Sequence, residues 1–347
     1  MSSLHFGFRI HVINVLFWNL IVKLHECRIQ RIILFELCYQ ENEKLSILVS
    51  ILYMWGNLLL NQQVKEVFRL AAYGDIGQLK YFYFAVVTVL YFVIILANTL
   101  LIGVICIERS LHEPMYMFLC ALFVNQLYGS TGLFPALMFY LLSDTHDISL
   151  LYCYLQIYVL YTCALTEFSN LAVMSYDRYI SICYPLQYNN IMTPKTICGL
   201  ILLSCLSSFS LMAIIISLSL RLQFCGNVLD RLYCDNYSIV KLACSNTMLN
   251  NIWEFYRYVL KSSKETKQKA FNTCTPHIAS MLNFLFGWLF VILQGRYETA
   301  DLSPILRTIL FVYFLICPPI FNPLMYGVRM VKIRHACNKV LGLNPET

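Results

Sequence analysis

The sequence predicts an all-α membrane protein, and three observations carry that prediction. The composition is apolar, several charge-free runs are long enough to cross a bilayer, and lysine and arginine gather in the connections between them. Hydrophobic residues make up 59% of the 347-residue chain and charged residues 13%, with a mean hydropathy of +0.63. A soluble domain carries about twice that share of charge. A helical crossing takes about 20 apolar residues and each loop roughly ten, so this length accommodates about six to eight helices.

The composition also excludes function classes. With 24 Tyr, 23 Phe and 4 Trp, the chain is too rich in aromatics for a plain anchor, because such side chains gather at membrane interfaces and line pockets. A net charge of +6, held in short clusters between apolar runs, points to a lipid bilayer as partner and away from nucleic acid. The 15 cysteines show no paired metal-ligand spacing, which disfavours a metal site.

The first span is Tyr81 to Ile107, uncharged until Glu108 and Arg109. The second, Met115 to Leu142, contains Gln126 and Pro135 and stops at the polar stretch Ser143 to Asp147. In the third, Ile148 to Met174, the only charge is Glu167, and Asp177-Arg178 marks its end. Thr196 to Leu220, Phe271 to Leu293 and Thr308 to Val328 supply three more, so six clear spans are predicted.

Basic residues fix the orientation. Lys261, Lys264, Lys267 and Lys269 precede the Phe271 run, and Arg329, Lys332, Arg334 and Lys339 follow the last span, so both clusters belong on the cytoplasmic side. The first half, read independently, puts Glu108 to Pro114 and Arg178 to Lys195 inside and Arg221 to Asn251 outside. The two halves then conflict. Only Ser245 to Leu260 separates Cys244 outside from Lys261 inside, and as a helix this stretch reaches about 24 Å against a core of about 30 Å. Glu254 and Arg257 in its middle make it a poor span on polarity too. One helix is short.

Residues 1–66 form an unmatched extension. Val12 to Leu24 and Leu45 to Leu60 are apolar but short, and the former reads equally as a weak signal-peptide candidate or a marginal membrane-associated helix.

Five motifs in register with these loops carry a resemblance: LHEPMYMFL (Leu111 to Leu119), MSYDRYISIC (Met174 to Cys183), PLQYNNIMT (Pro185 to Thr193), KAFNTCTPH (Lys269 to His277) and PPIFNPLMYG (Pro318 to Gly327). Together they resemble an odorant receptor of the rhodopsin-like G-protein-coupled family. Ile107 to Ser110 and Leu232 to Cys244 resemble its fish-type branch. The resemblance implies a seven-transmembrane receptor bundle over residues 67–341, here with the fifth helix largely absent, and a short cytoplasmic tail end at 342–347.

By that resemblance Asp177, Arg178 and Tyr179 form a G-protein switch, in which Asp177 holds Arg178 at rest and releases it when the helices separate. The alternative is a snorkelling interfacial arginine. Asn322, Pro323 and Tyr326 are the corresponding switch late in the last helix, where the missing proline N–H loosens the ladder, the alternative being a tolerated kink. This switch faces a polar core of Asn98 and Glu167, and a buried acid there is either neutral or held in a polar cluster. Two departures stand out. Gln126 replaces an acidic residue, which weakens any bound-sodium scheme, and Cys205 replaces a tryptophan.

The resemblance pairs Cys153 with Cys234, and Cys225 would pair with Cys244 on the oxidising face; free thiols are the alternative. Asn236-Tyr237-Ser238 is a glycosylation sequon in the same loop. For the ligand, Leu160, Tyr161, Ala164 and Leu165 of the third helix and Phe286, Gly287 and Phe290 of the sixth lie at pocket depth, and suit a small organic molecule held by contact and desolvation. Each position equally suits packing between helices.

The implied function is an odorant-binding receptor in the plasma membrane that activates a heterotrimeric G protein in olfactory signalling, with a water-borne odorant as ligand and no cofactor. Enzyme signatures are lacking, and a transporter would show paired repeats. The competing expectation is a receptor-derived product that cannot signal for want of a span.

Overall fold

The computed structural model describes residues 67–73, 77–220, 222–244, 280, 283 and 304–340. Five long helices dominate them. Leu79–Ile107 (α1), Pro114–Leu142 (α2), Leu150–Cys183 (α3) and, after the one-turn helix Tyr188–Ile191 (α4), Pro194–Ser219 (α5) are each long and apolar enough to cross a membrane. A short helix Asn236–Lys241 (α6) lies in the outer loop, Pro304–Arg329 (α7) is the last long helix, and Val331–Val340 (α8) follows it. The expected span 271–293 lies outside the described residues except for Ser280 and Asn283, which are helical, and so does the stretch 245–260.

Helix ends follow local chemistry. Pro114 and Pro194 occupy first-turn positions, where a missing N–H costs nothing. Ser149 caps α3 and Thr193 caps α5, each side-chain oxygen accepting a first-turn N–H. The expected third span needs correction at both ends. Ile148 belongs to a strand, so α3 begins at Leu150, and it runs past Asp177 to Cys183 because that charge is neutralised within the protein and so does not end the helix. The chain stops being helical just before Pro185, which disfavours helix in the residue ahead of it. Helix α7 starts at Pro304, ahead of the expected Thr308.

A small sheet adds to the helical architecture. Val67–Leu70 (β1) lies between Asp147–Ser149 (β2), antiparallel, and Val228–Leu229 (β3), parallel, with Phe68 opposite Ile148 and Arg69 opposite Val228. These strands are too short for alternation to announce them in the sequence. Phe68, Leu70 and Tyr73 are buried, and Tyr73 stacks on His146 and donates to the Leu232 carbonyl at 2.8 Å. The chain entering α1 is thereby strapped across the outer face.

Two apolar clusters fill the interior. The outer one joins Phe68, Phe134, Tyr154, Ile157, Ile216 and Tyr233, and the inner one joins Leu111, Phe118, Phe123, Met174, Tyr326 and Ile333. Asn98, Gln126, Glu167 and Asn322, all buried, fall between them along their helices. Phe82, Val89, Phe92 and Leu96 of α1 are exposed, an apolar surface that suits lipid.

Candidate functional site

At the inner end of α3, Asp177 is fully buried, a placement tolerable for a carboxylate only with charged or hydrogen-bonding partners. Arg178 supplies one, its Nε donating to Oδ2 at 2.9 Å and its terminal nitrogen to the same oxygen. The other oxygen, Oδ1, accepts from the Tyr188 hydroxyl of α4 at 2.7 Å. Burial and then the bond to Asp177 hold the Tyr188 phenol well above its usual range, so it is a permanent donor. The carboxylate is thus gripped from its own helix and from the following loop. Tyr179 points away, about half exposed and edge-on to Tyr184, and takes no part in this grip.

Halfway along the helices, the Glu167 carboxylate accepts from Asn322 Nδ2 at 2.8 Å, with Gln126 beside it. Asn322 Oδ1 accepts from Ser280 at 2.5 Å, and Asn98 donates to the Pro319 carbonyl at 2.9 Å. That carbonyl lies four residues before Pro323, which cannot donate an amide bond to it, so the asparagine of α1 occupies an acceptor the proline kink leaves free. Tyr326 is buried edge-on to Phe123. Four helices and Ser280 therefore meet in one hydrogen-bonded layer. Among the described residues no His, Cys, Asp and Glu cluster could hold a metal ion.

At the outer end, Cys153 is bonded to Cys234 and Cys225 to Cys244. The first bridge pins the outer loop to α3, and the second closes the loop that contains β3 and α6. Gln156, one turn into α3, supports the first: its Oε1 accepts from the buried Cys234 N–H at 2.9 Å and its Nε2 donates to the Gly132 carbonyl at 3.3 Å. Asp235 caps α6 and pairs with Arg231, while Asn236 of the sequon sits half-buried in the first turn of that helix. Tyr233, just before the bridge, is buried within the outer cluster.

Of the candidate ligand residues, Leu160 is buried, while Tyr161, Ala164 and Leu165 are half-buried beneath this loop. Phe286, Gly287 and Phe290 lie outside the described residues. Cys205, on α5, is half-buried.

Sequence reasoning missed Tyr188, Gln156 and the strap of β1 with Tyr73. A polar residue one helical turn below a predicted disulfide cysteine was a usable signal for Gln156; Tyr188, eleven positions from its partner, had none.

The sequence profile described as "Olfactory receptor" matches residues 87–262 and 255–343. The chain is 32% identical to human olfactory receptor 11A1, covering 81% of this chain and 95% of that protein. It is similarly 30% identical to human olfactory receptor 51L1, over 81% and 95%, and 31% identical to human olfactory receptor 2A12, over 76% and 91%. With four helices long and apolar enough to cross a membrane among the described residues, a disulfide-tied outer loop and a profile match over most of its length, the chain belongs to the olfactory receptor family.

Proposed function

We propose that the chain binds a small organic odorant in the outer half of its bundle and thereby activates a heterotrimeric G protein in olfactory signalling. As a family member it is a multi-pass plasma-membrane receptor and not an enzyme. The bundle spans residues 67–341, with 1–66 as an extension and 342–347 as the end of a cytoplasmic tail. A water-borne odorant fits the fish-type wording of Ile107 to Ser110 and Leu232 to Cys244.

The observation that carries this reading is the grip on Asp177. A buried carboxylate held by Arg178 and Tyr188 is a two-state element, because moving α4 away from α3 removes one of its two donor groups and leaves a buried charge under-satisfied beside the arginine. The Glu167–Asn322 bond offers a second point at which α3 and α7 part. Ligand contacts along Leu160, Tyr161, Ala164 and Leu165, facing Phe286, Gly287 and Phe290, would bias that equilibrium. The test is a G-protein reporter in cells with surface staining: an odorant response in the parent chain that Arg178→Ala abolishes at equal surface density supports the reading.

A specific observation favours a second reading, a receptor-derived product that does not signal. The alignment with receptor 11A1 runs over 305 positions yet takes in 81% of the 347 residues, about 281, so about 24 positions have no residue here, close to the roughly 20 of one span. The same arithmetic with receptor 51L1, 304 positions against 81%, leaves about 23. The family profile also matches in two pieces that overlap over 255–262, after Cys244 and at the start of the Lys261 to Lys269 cluster. Insertion of about 24 apolar residues after Ile252 should then restore surface expression and response.

A further inference from the structure

Asn236-Tyr237-Ser238 is the only glycosylation sequon of the Asn-x-Ser/Thr form in the chain, and the receptor reading leaves it unused. It lies just past Cys234, on the disulfide-bearing outer face. Glycan attachment joins the asparagine Nδ2 to the anomeric carbon of a lipid-diphosphate oligosaccharide. The anomeric C–O bond breaks, the lipid diphosphate leaves with the electron pair, and one amide proton passes to the transferase. The amide and the hydroxyl two positions on must both be free to enter the enzyme.

The fold commits both groups elsewhere. Asp235, the N-cap of α6, accepts the Ser238 N–H on Oδ1 at 2.9 Å and the Ser238 hydroxyl on Oδ2 at 2.6 Å. Arg231 Nε donates to that hydroxyl at 3.2 Å and pairs with Asp235 at 3.4 Å, these two side chains being 16% and 8% exposed. Ser238 is thus engaged as donor and as acceptor. Asn236 is half-buried, with its Oδ1 3.5 Å from the hydroxyl of Ser219, the buried last residue of α5. The two sequon side chains share one helical turn and stand about 200° apart, on opposite sides of α6. A helix of 6 residues does not persist alone. The Cys153–Cys234 bridge, the Gln156 bond to Cys234 and the fully buried Ile239 seat it.

We propose that Asn236 is a conditional glycosylation site: it accepts a glycan from a lipid-linked oligosaccharide while the outer loop is unbridged, and it is withdrawn once the Cys153–Cys234 bridge seats α6. A glycan at Asn236 therefore marks chains whose outer loop has not folded. The proposal requires the outer loop to face the oxidising lumen during synthesis, and it is independent of odorant binding and G-protein activation.

The full chain expressed in mammalian cells tests this, read by the mobility shift that an N-glycan amidase removes and by non-reducing peptide mapping of the Cys153–Cys234 bridge. Among parent molecules the glycan should be confined to those that lack the bridge. Asp235→Ala removes the cap and both bonds to Ser238, and should raise the glycosylated fraction about fivefold. Cys234→Ser should leave most molecules glycosylated, an outcome that does not require the variant to fold. Adding Asn236→Gln to either variant should abolish the shift. A glycan on bridged parent molecules would overturn the proposal, and so would the absence of a glycan from both Asp235→Ala and Cys234→Ser.

Discussion

Replacing Gln156 by methionine keeps the length and flexibility of the side chain and removes its acceptor. The Cys234 N–H it serves is at a residue with no solvent exposure, next to the bridge that ties the outer loop to α3. Leaving such a donor unsatisfied costs about 1–3 kcal/mol. The longer bond to the Gly132 carbonyl, at 3.3 Å, adds at most about 0.5 kcal/mol. At about 2–4 °C per kcal/mol, the melting temperature should fall by about 2–14 °C. The buried thiols of Cys120 and Cys163, outside both disulfides, provide the assay, since a thiol-reactive dye labels them as the detergent-solubilised chain unfolds on heating. A melting curve for Gln156→Met within about 1 °C of the parent would refute the argument that this side chain carries the outer loop.

Other consequences follow from the same contacts. Gly129→Ala places a methyl inside the Cys163 sulfur, so it should destabilise the chain by about 1–3 kcal/mol, and combining it with Cys163→Ala should recover most of the loss in the same melting assay. Tyr188→Phe removes one donor from the Asp177 carboxylate while keeping the ring; a hydrogen bond to a charged group is worth about 1.5–3 kcal/mol, so basal nucleotide exchange per surface receptor should rise about ten- to hundredfold. The ion pairs that α8 makes with the α1–α2 turn, Lys339 to Glu108 at 2.7 Å and Lys332 to Glu113 at 2.6 Å, should be insensitive to pH across the physiological range. Glu108, held below its usual range by the bond from Lys339, contributes above its ordinary carboxylate value and loses that contribution only as pH falls through the lowered one. Lys332, raised by the bond to Glu113, contributes fully below its ordinary value and loses it only as pH rises through the raised one. Exchange protection of 331–340, corrected for the intrinsic rate, should therefore be flat between about pH 6 and pH 9.

The long helices were legible because a bilayer imposes a coarse rule: a charge-free run such as Tyr81 to Ile107 can hardly be anything but a span. The same rule misplaced the inner end of α3. Asp177 and Arg178 read as a boundary when charge is assumed to face water, but here they face each other and Tyr188, so the helix continues to Cys183. Asn98, Glu167 and Asn322 could be picked out as polar residues within apolar runs, while the route by which they meet, through the Pro319 carbonyl and Ser280, depends on how the helices pack. The outer strap was hidden for a different reason. Strands of two to four residues leave no periodic signal, and the pairing of Phe68 with Ile148 spans eighty positions of chain.

The receptor reading is tested most directly by odorant-driven nucleotide exchange on a heterotrimeric G protein, measured with the parent chain and with Arg178→Ala at matched surface density. The expected result is a concentration-dependent response in the parent that Arg178→Ala abolishes. A response equal in both chains, or none in the parent when it is present at the surface, would contradict it.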